Sequence, residues 1–288
     1  MPTDLHPSFT GAGNDPGMTD PLAAAVTRHL QRILAAPSSH EALSRDLLRL
    51  AANYRLELLR PRLRAALGDR VQGGLFAGLR LPTRAAEGCT LPKLLGCYEA
   101  GLQPHLSALI ANPPEVVLNI GCAEGWYAVG LARLLPHAEV HAFDVDPAAR
   151  TLCAETADLN GVTLRIGGRF DPSGFAAFAG RRVLVLCDVE GAERDLLDPA
   201  TTHALRGFDL VVEAHDAVAV APAAAPPRLS DTIAARFAAS HAVTRVDLLT
   251  RTLALPPCCA EWPEIDQLLA VWEMRAAPTP WLVMRPRR

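Results

Sequence analysis

The sequence predicts an α/β protein, with a doubly wound, mostly parallel seven-stranded sheet preceded by a helical N-terminal extension. Three observations point there. Short apolar runs alternate with helical segments from residue 116 onward, as βαβ units do when helices cover both faces of a sheet. Half of the 288 residues are hydrophobic, which supplies a large core and excludes a globally disordered chain. One strand-like run ends in a glycine turn, Gly121-Cys122-Ala123-Glu124-Gly125, that leads into a helix. Doubly wound sheets bind their ligands at such places.

The elements follow in order. Residues 1–19, rich in Pro, Gly, Asp and Thr, read as a disordered leader. Residues 20–70 read as the helical extension, opened by an Asp20 cap and Pro21 at the first helical position. A second helix starts near Ser38 or Ser39, and Pro61 is expected to kink or break it. Residues 71–288 form the main domain. Its glycine-spaced segment 71–81 suggests a short hairpin, and 92–111 a helix. Seven strands are then expected at 116–120, 139–144, 162–166, 182–188, 208–213, 242–250 and 281–284. Helices are expected at 125–135, from the Asp146 cap to the Asn160-Gly161 stop, and at 191–206, 229–240 and 263–276.

Composition removes several function classes. Lys and Arg number 28 against 31 acids, so no basic excess makes nucleic acid the expected partner. Lys93 is the only lysine; no phosphate-loop lysine motif exists, and a Schiff-base enzyme would have to use this one residue. Seven cysteines, an odd number without a C-x-x-C pair, argue against a disulfide framework and a structural zinc site. The expectation is a cytoplasmic protein with no membrane span, acting on a small molecule, with the N-terminal helices available for homo-oligomer contacts.

The turn after residues 116–120 carries the cofactor reading. Gly121 permits a tight turn and close backbone approach, Gly125 opens the helix, and Asp144 lies about 20 residues on, where an acid meets a ribose. A dinucleotide would ask for G-x-G-x-x-G, but Ala123 takes the second glycine position and Trp126 follows Gly125. The segment resembles the first motif of class I S-adenosylmethionine-dependent methyltransferases, with Gly121 and Gly125 matching and Asn119 standing where many members carry an acid. Cys187-Asp188-Val189-Glu190-Gly191-Ala192-Glu193 is similar to the D-x-E-G-A-E signature of FkbM-type methyltransferases, and Val211–Asp216 resembles the end of that group's fifth strand. The likeness spans 73–220. It implies a Rossmann-like methyltransferase fold with an antiparallel last strand. It also implies S-adenosylmethionine (SAM) as cofactor and O-directed transfer to a hydroxylated or sugar-containing metabolite.

Under that reading the cofactor lies across Asn119, Gly121, Cys122, Ala123, Glu124 and Gly125, with its ribose on Asp144, its adenine near Asp171 and its methyl toward Asp188. Asp188, Glu190, Glu213 and His215, with Asp216 beside them, form the acceptor-side cluster, and His215 is the expected general base. Asp188 or Glu213 is expected to orient the imidazole, while Glu193 reads as structural. The same carboxylates and histidine suit a divalent metal, which the resemblance does not require, so no metal ligands are assigned. Two alternatives stand beside this: an NAD-dependent oxidoreductase, and a methyltransferase-like fold that binds ligand without catalysis.

Overall fold

The structure, a computed structural model, describes residues 20–36, 39–84, 89–216, 228–247, 255–275 and 279–287. The expected leader at 1–19 and the end of the strand expected at 242–250 lie outside them.

Seven strands make one sheet: β1 (Val116–Ile120), β2 (Glu139–Phe143), β3 (Arg165–Gly167), β4 (Val183–Cys187), β5 (Asp209–Glu213), β6 (His241–Val246) and β7 (Trp281–Pro286). Their order is β3-β2-β1-β4-β5-β7-β6. β1 to β5 pair in parallel, and β7 runs antiparallel to both neighbours, β5 and β6. This is the doubly wound, mostly parallel seven-stranded sheet that the sequence predicts, with β7 as its antiparallel strand. All five residues of β1 and of β4 are buried, because both faces of the sheet are covered. The pleat divides them: Val117, Leu184, Leu186, Val211 and Val283 join one apolar cluster, and Val116, Leu118, Val185, Leu210, Val212 and Met284 the other.

The helices are α1 (Pro21–Ala35), α2 (His40–Leu67), α3 (Thr90–Leu95), α4 (Gln103–Ile110), α5 (Trp126–Leu134), α6 (Pro147–Asn160), α7 (Glu193–Leu196), α8 (Leu229–Phe237) and α9 (Glu264–Ala270). Asp20 and Asp146 cap α1 and α6 by accepting from the N–H two residues on, each worth about 1 kcal/mol. α2 runs on through Pro61 and buries Leu56, Leu59 and Leu63 in the larger core cluster. Its Arg55 holds the Asp266 carboxylate of α9 with two hydrogen bonds, at 2.7 and 2.5 Å.

Several expectations need correction. The helix expected over 92–111 is two helices, because Gly96 turns left-handed at φ 80° where its backbone meets that of Gly73. A Cβ on Gly96 would lie 2.1 Å from the Gly73 carbonyl oxygen. Gly73 and Gly74 therefore serve this close approach, a Cβ on Gly74 falling 2.2 Å from the Gly96 carbonyl oxygen, and the segment holds a single antiparallel bridge, Arg70 to Arg80, rather than a hairpin of strands. The helix expected over 191–206 shortens to α7 and a 3-10 turn, His203–Gly207. None of the seven cysteines is in a disulfide. Among the described residues no helix is long and apolar enough to cross a membrane.

Candidate functional site

The C-terminal ends of β1 to β4 open on a cavity of about 790 Å³, within the range usual for small-molecule sites. Its walls come from the four turns that follow those strands: Ile120, Gly121 and Ala123; Phe143 to Val145; Gly168 to Pro172; and Asp188 to Glu190 with Ala192, Asp195 and Leu196. Gly121 is dictated by its neighbour. Its φ is 83°, and a Cβ there would fall 1.6 Å from the Asp188 carbonyl oxygen. The turn after β1 and the turn after β4 thus meet backbone to backbone, and Asp188 N donates to Ile120 O at 2.9 Å.

Four amides of the loop 121–125 are paired inside the protein. Gly121 N and Cys122 N donate to Phe143 O at 2.8 and 3.0 Å, and Gly125 N donates to Cys122 O at 2.7 Å. Ala123, left-handed at φ 45°, donates its N–H to Asp144 Oδ2 at 2.9 Å, while Asp144 Oδ1 accepts from Asp146 N at 2.9 Å. Asp144 therefore shapes the loop as well as lining the cavity, and each of its oxygens keeps a lone pair for a ribose hydroxyl. Asp171 also lines the cavity, and accepts from Ser173 N at 2.9 Å and Ser173 Oγ at 2.6 Å.

Other expected cofactor contacts turn inward. Glu124 is buried and pairs with Lys93. Cys122 is buried in the larger core cluster, and Gly125 packs over Cys153 Sγ of α6, which a Cβ would approach to 3.0 Å. Asn119 is buried at the end of β1; its Nδ2 donates to Gly121 O at 3.4 Å, and its Oδ1 finds no hydrogen-bond partner among the described residues. Trp126 packs edge-on against Phe76 and Tyr98 at 5.2 and 5.9 Å, which places it in the core.

At the ends of β4 and β5 the structure brings Asp188, Glu213 and His215 together. Their ligand atoms lie within 4.8 Å of one another, so they could hold a metal ion. Glu190 lines the cavity beside them, left-handed at φ 55°, and α7 has no side-chain cap, so neither Asp188 nor Glu190 serves as one. Asp216 points away to α8, accepting from Ser230 N at 2.8 Å and Ser230 Oγ at 2.7 Å.

The residue that orients His215 is Glu193. Its Oε1 meets His215 Nδ1 at 2.6 Å, whereas Nε2 lies 3.5 Å from Asp188 and 4.0 Å from Glu213. Burial alone would raise the Glu193 carboxyl, but the hydrogen bond to His215 and backbone donors outweigh it and hold it below its ordinary value. An ionised carboxylate only accepts, so Nδ1 carries the proton and Nε2 is left on the side of Asp188, which lines the cavity. Burial pulls the imidazole down, but the Glu193 bond and the charges of Glu213, Glu193 and Glu190 push it above its ordinary value. The signal for Glu193 was its place in the 188–193 segment, five residues after Asp188.

Glu213 is claimed from behind by Arg275, which also pairs with Glu99 and Glu273. Thr279 Oγ1 donates to Glu213 at 2.6 Å, and Tyr127 donates its hydroxyl to Glu99. Three buried carboxylates share one guanidinium, and burial together with the Glu213 charge pushes Glu99 up to about 8 despite Arg275. This hub locks the end of β5 to the segment before β7. Tyr98 and Glu99 are both buried in that interior.

No family model matches the chain, and no curated protein matches it in sequence. Solved structures similar in shape include the O-methyltransferase TomG from Streptomyces achromogenes, solved with SAM, at a TM-score of 0.43 and 14% identity over 68% of this chain and 83% of that one. An O-methyltransferase from Bacillus cereus in complex with S-adenosylhomocysteine (SAH) gives 0.44 and 10% over 92% and 100%. The precorrin-6y C5,15-methyltransferase from Geobacter metallireducens gives 0.38 and 12% over 65% and 88%. The architecture rests on the strand order rather than on these likenesses.

Proposed function

We propose that this chain is a SAM-dependent methyltransferase of FkbM type that methylates a hydroxyl of a small, hydroxylated acceptor. The observation that carries the reading is the state of the turn after β1. The N–H groups of Gly121, Cys122, Ala123 and Gly125 all donate inside the protein, so the turn offers no nest of amides to a pyrophosphate. Charge supports the same choice. The cavity is lined by five carboxylates, Asp144, Asp171, Asp188, Glu190 and Asp195, against one guanidinium, Arg169. A sulfonium with an ammonium suits that field, and a dinucleotide's two phosphates do not.

The residues then divide the work. Asn119 Oδ1, buried without a partner among the described residues, is suited to accept from the methionine ammonium. Asp144 takes the ribose hydroxyls, and Asp171 stands at the adenine end of the wall. SAM supplies a methyl whose leaving group is already cationic, so the protein must place the acceptor in line and remove its proton. His215 receives that proton on Nε2, Glu193 fixes the ring and stabilises the imidazolium, and Asp188 borders both the cofactor cavity and the imidazole. Incubation with methyl-labelled SAM and a panel of hydroxylated acceptors tests the reading. Label is expected in at least one acceptor and lost in His215→Ala. Tight SAH binding with no transfer to any acceptor would favour the silent fold instead.

A second reading keeps the cavity and places a divalent cation among Asp188, Glu213 and His215. The Nδ1–Glu193 contact favours it, because a carboxylate behind the ring is the usual support of a metal-bound histidine. Mn²⁺ titration followed by electron paramagnetic resonance separates the two: bound Mn²⁺ lost in His215→Ala supports the cation, and a wholly free-ion spectrum removes it.

A further inference from the structure

Positive charge in this chain is arginine everywhere except at Lys93. That one lysine is buried on α3, 2% exposed, and its ammonium pairs with Glu124, also 2% exposed. The Tyr98 ring covers it, with Nζ 4.6 Å from the ring centroid. Glu124 sits in the middle of the cofactor turn, between Ala123 at φ 45° and Gly125 at φ 90°.

A buried ion pair is a poor way to gain stability, since apolar groups of the same size often do as well or better. Its use is more often to fix one arrangement among several. Here the arrangement is the two-sidedness of the turn. Gly121 and Ala123 face the cavity, while Cys122 and Glu124 go into the protein. A carboxylate buried at 124 that lost the Lys93 ammonium would be driven toward water, and the turn would have to roll with it. Rolling the turn breaks the bond from Ala123 N to Asp144 and presents a side chain to the cavity. A compact ammonium on an unbranched stem reaches under the turn beneath the Tyr98 ring, where a planar guanidinium needs more width.

We propose that Lys93 is a positioning residue of the cofactor site: by holding Glu124 inside, it keeps the 121–125 turn open on its cavity face. The inference rests on the cofactor reading for its binding consequence, but not for its conformational one. The test uses the full chain in four forms: wild type, Lys93→Arg, Lys93→Met, and Lys93→Met with Glu124→Met, which removes both charges while keeping volume. Three quantities are measured: melting temperature, amide hydrogen exchange of peptides covering 119–127, and SAH affinity by calorimetry. Lys93→Met, which strands the Glu124 charge, is expected to exchange the turn's amides at least tenfold faster and to bind SAH at least tenfold more weakly, while the double variant, which buries no charge there, is expected to melt within a few degrees of wild type and to bring exchange and affinity back toward wild type. Lys93→Arg, which keeps the charge, is expected to show the two changes of Lys93→Met to a smaller degree, and it decides the matter if the Met variants do not fold. Wild-type exchange and wild-type affinity in folded Lys93→Met, or in Lys93→Arg where Lys93→Met does not fold, would overturn the proposal. If wild type itself gives no heat with SAH, the cofactor reading fails, and the exchange data still judge the role of Lys93.

Discussion

Replacing Gly121 with alanine should pull the cofactor turn away from the acceptor rim. Two costs add. The residue sits at φ 83°, a conformation that costs an L side chain about 1–2 kcal/mol. The new Cβ would lie 1.6 Å from Asp188 O and 2.7 Å from Asp188 C, backbone atoms that can yield only by moving the end of β4, for about 1–3 kcal/mol more. The sum is about 2–5 kcal/mol, borne by the contact between the two turns that frame the cavity. Calorimetric titration with SAH is the assay, and a loss of at least about tenfold, or 1.4 kcal/mol, is expected. Gly161→Ala is the control: φ is 64° with nothing within 4 Å of the added Cβ, so it should lower stability by the backbone cost alone and leave SAH affinity unchanged. A Gly121→Ala protein that binds SAH as wild type does would refute the reasoning.

Further outcomes follow from the same contacts. Asp144→Ala should weaken SAH by about 1–3 kcal/mol and also loosen the turn, since Ala123 N loses its acceptor; unchanged affinity removes Asp144 from the site. His215→Ala should abolish turnover with SAH affinity nearly intact, and measurable wild-type turnover would exclude it as the base. Glu193→Gln should lower the His215 pKa, because the bond that raises it is lost, so the acid limb of kcat/KM should move to lower pH. A limb that stays put would mean another group is titrating. Stability should also respond to pH. Glu99 and His215 both stand above their ordinary values in the fold. The fold therefore binds protons more tightly, and the stability they contribute is complete below their unfolded pKa values and lost as pH rises through the folded ones. Melting temperature should fall from about pH 5 toward pH 8, and Glu99→Gln should flatten the decline.

What could be read from residues alone was local. Apolar runs marked β1, β4 and β5 closely because these strands are buried almost throughout, whereas β3, with no buried residue, begins at Arg165 rather than at 162, and Asp146 and Gly161 marked the ends of α6 by a side-chain cap and a left-handed glycine. The turn after β1 was visible because only glycine tolerates the conformation at 121. The 92–111 helix misled because its break at Gly96 is imposed by Gly73, 23 residues earlier, and no periodicity records a contact of that kind. The acceptor side was half legible. Asp188, Glu213 and His215 were found from strand ends, but the choice of Glu193 as the partner of Nδ1 depends on where a four-residue helix points its first side chain. Arg275 left no trace at all, since its carboxylates Glu213 and Glu99 lie 62 and 176 residues away in sequence. Lys93 did leave one, as the single departure from an all-arginine usage, but only its burial against Glu124 says what the departure is for.

Whether the turn between β1 and α5 receives an adenosyl sulfonium or a dinucleotide is decided most directly by paired calorimetric titrations of the purified full chain with SAH and with NAD⁺. Saturable heat with SAH in the micromolar range and none with NAD⁺ is the predicted result. Saturable heat with NAD⁺ and none with SAH would contradict it.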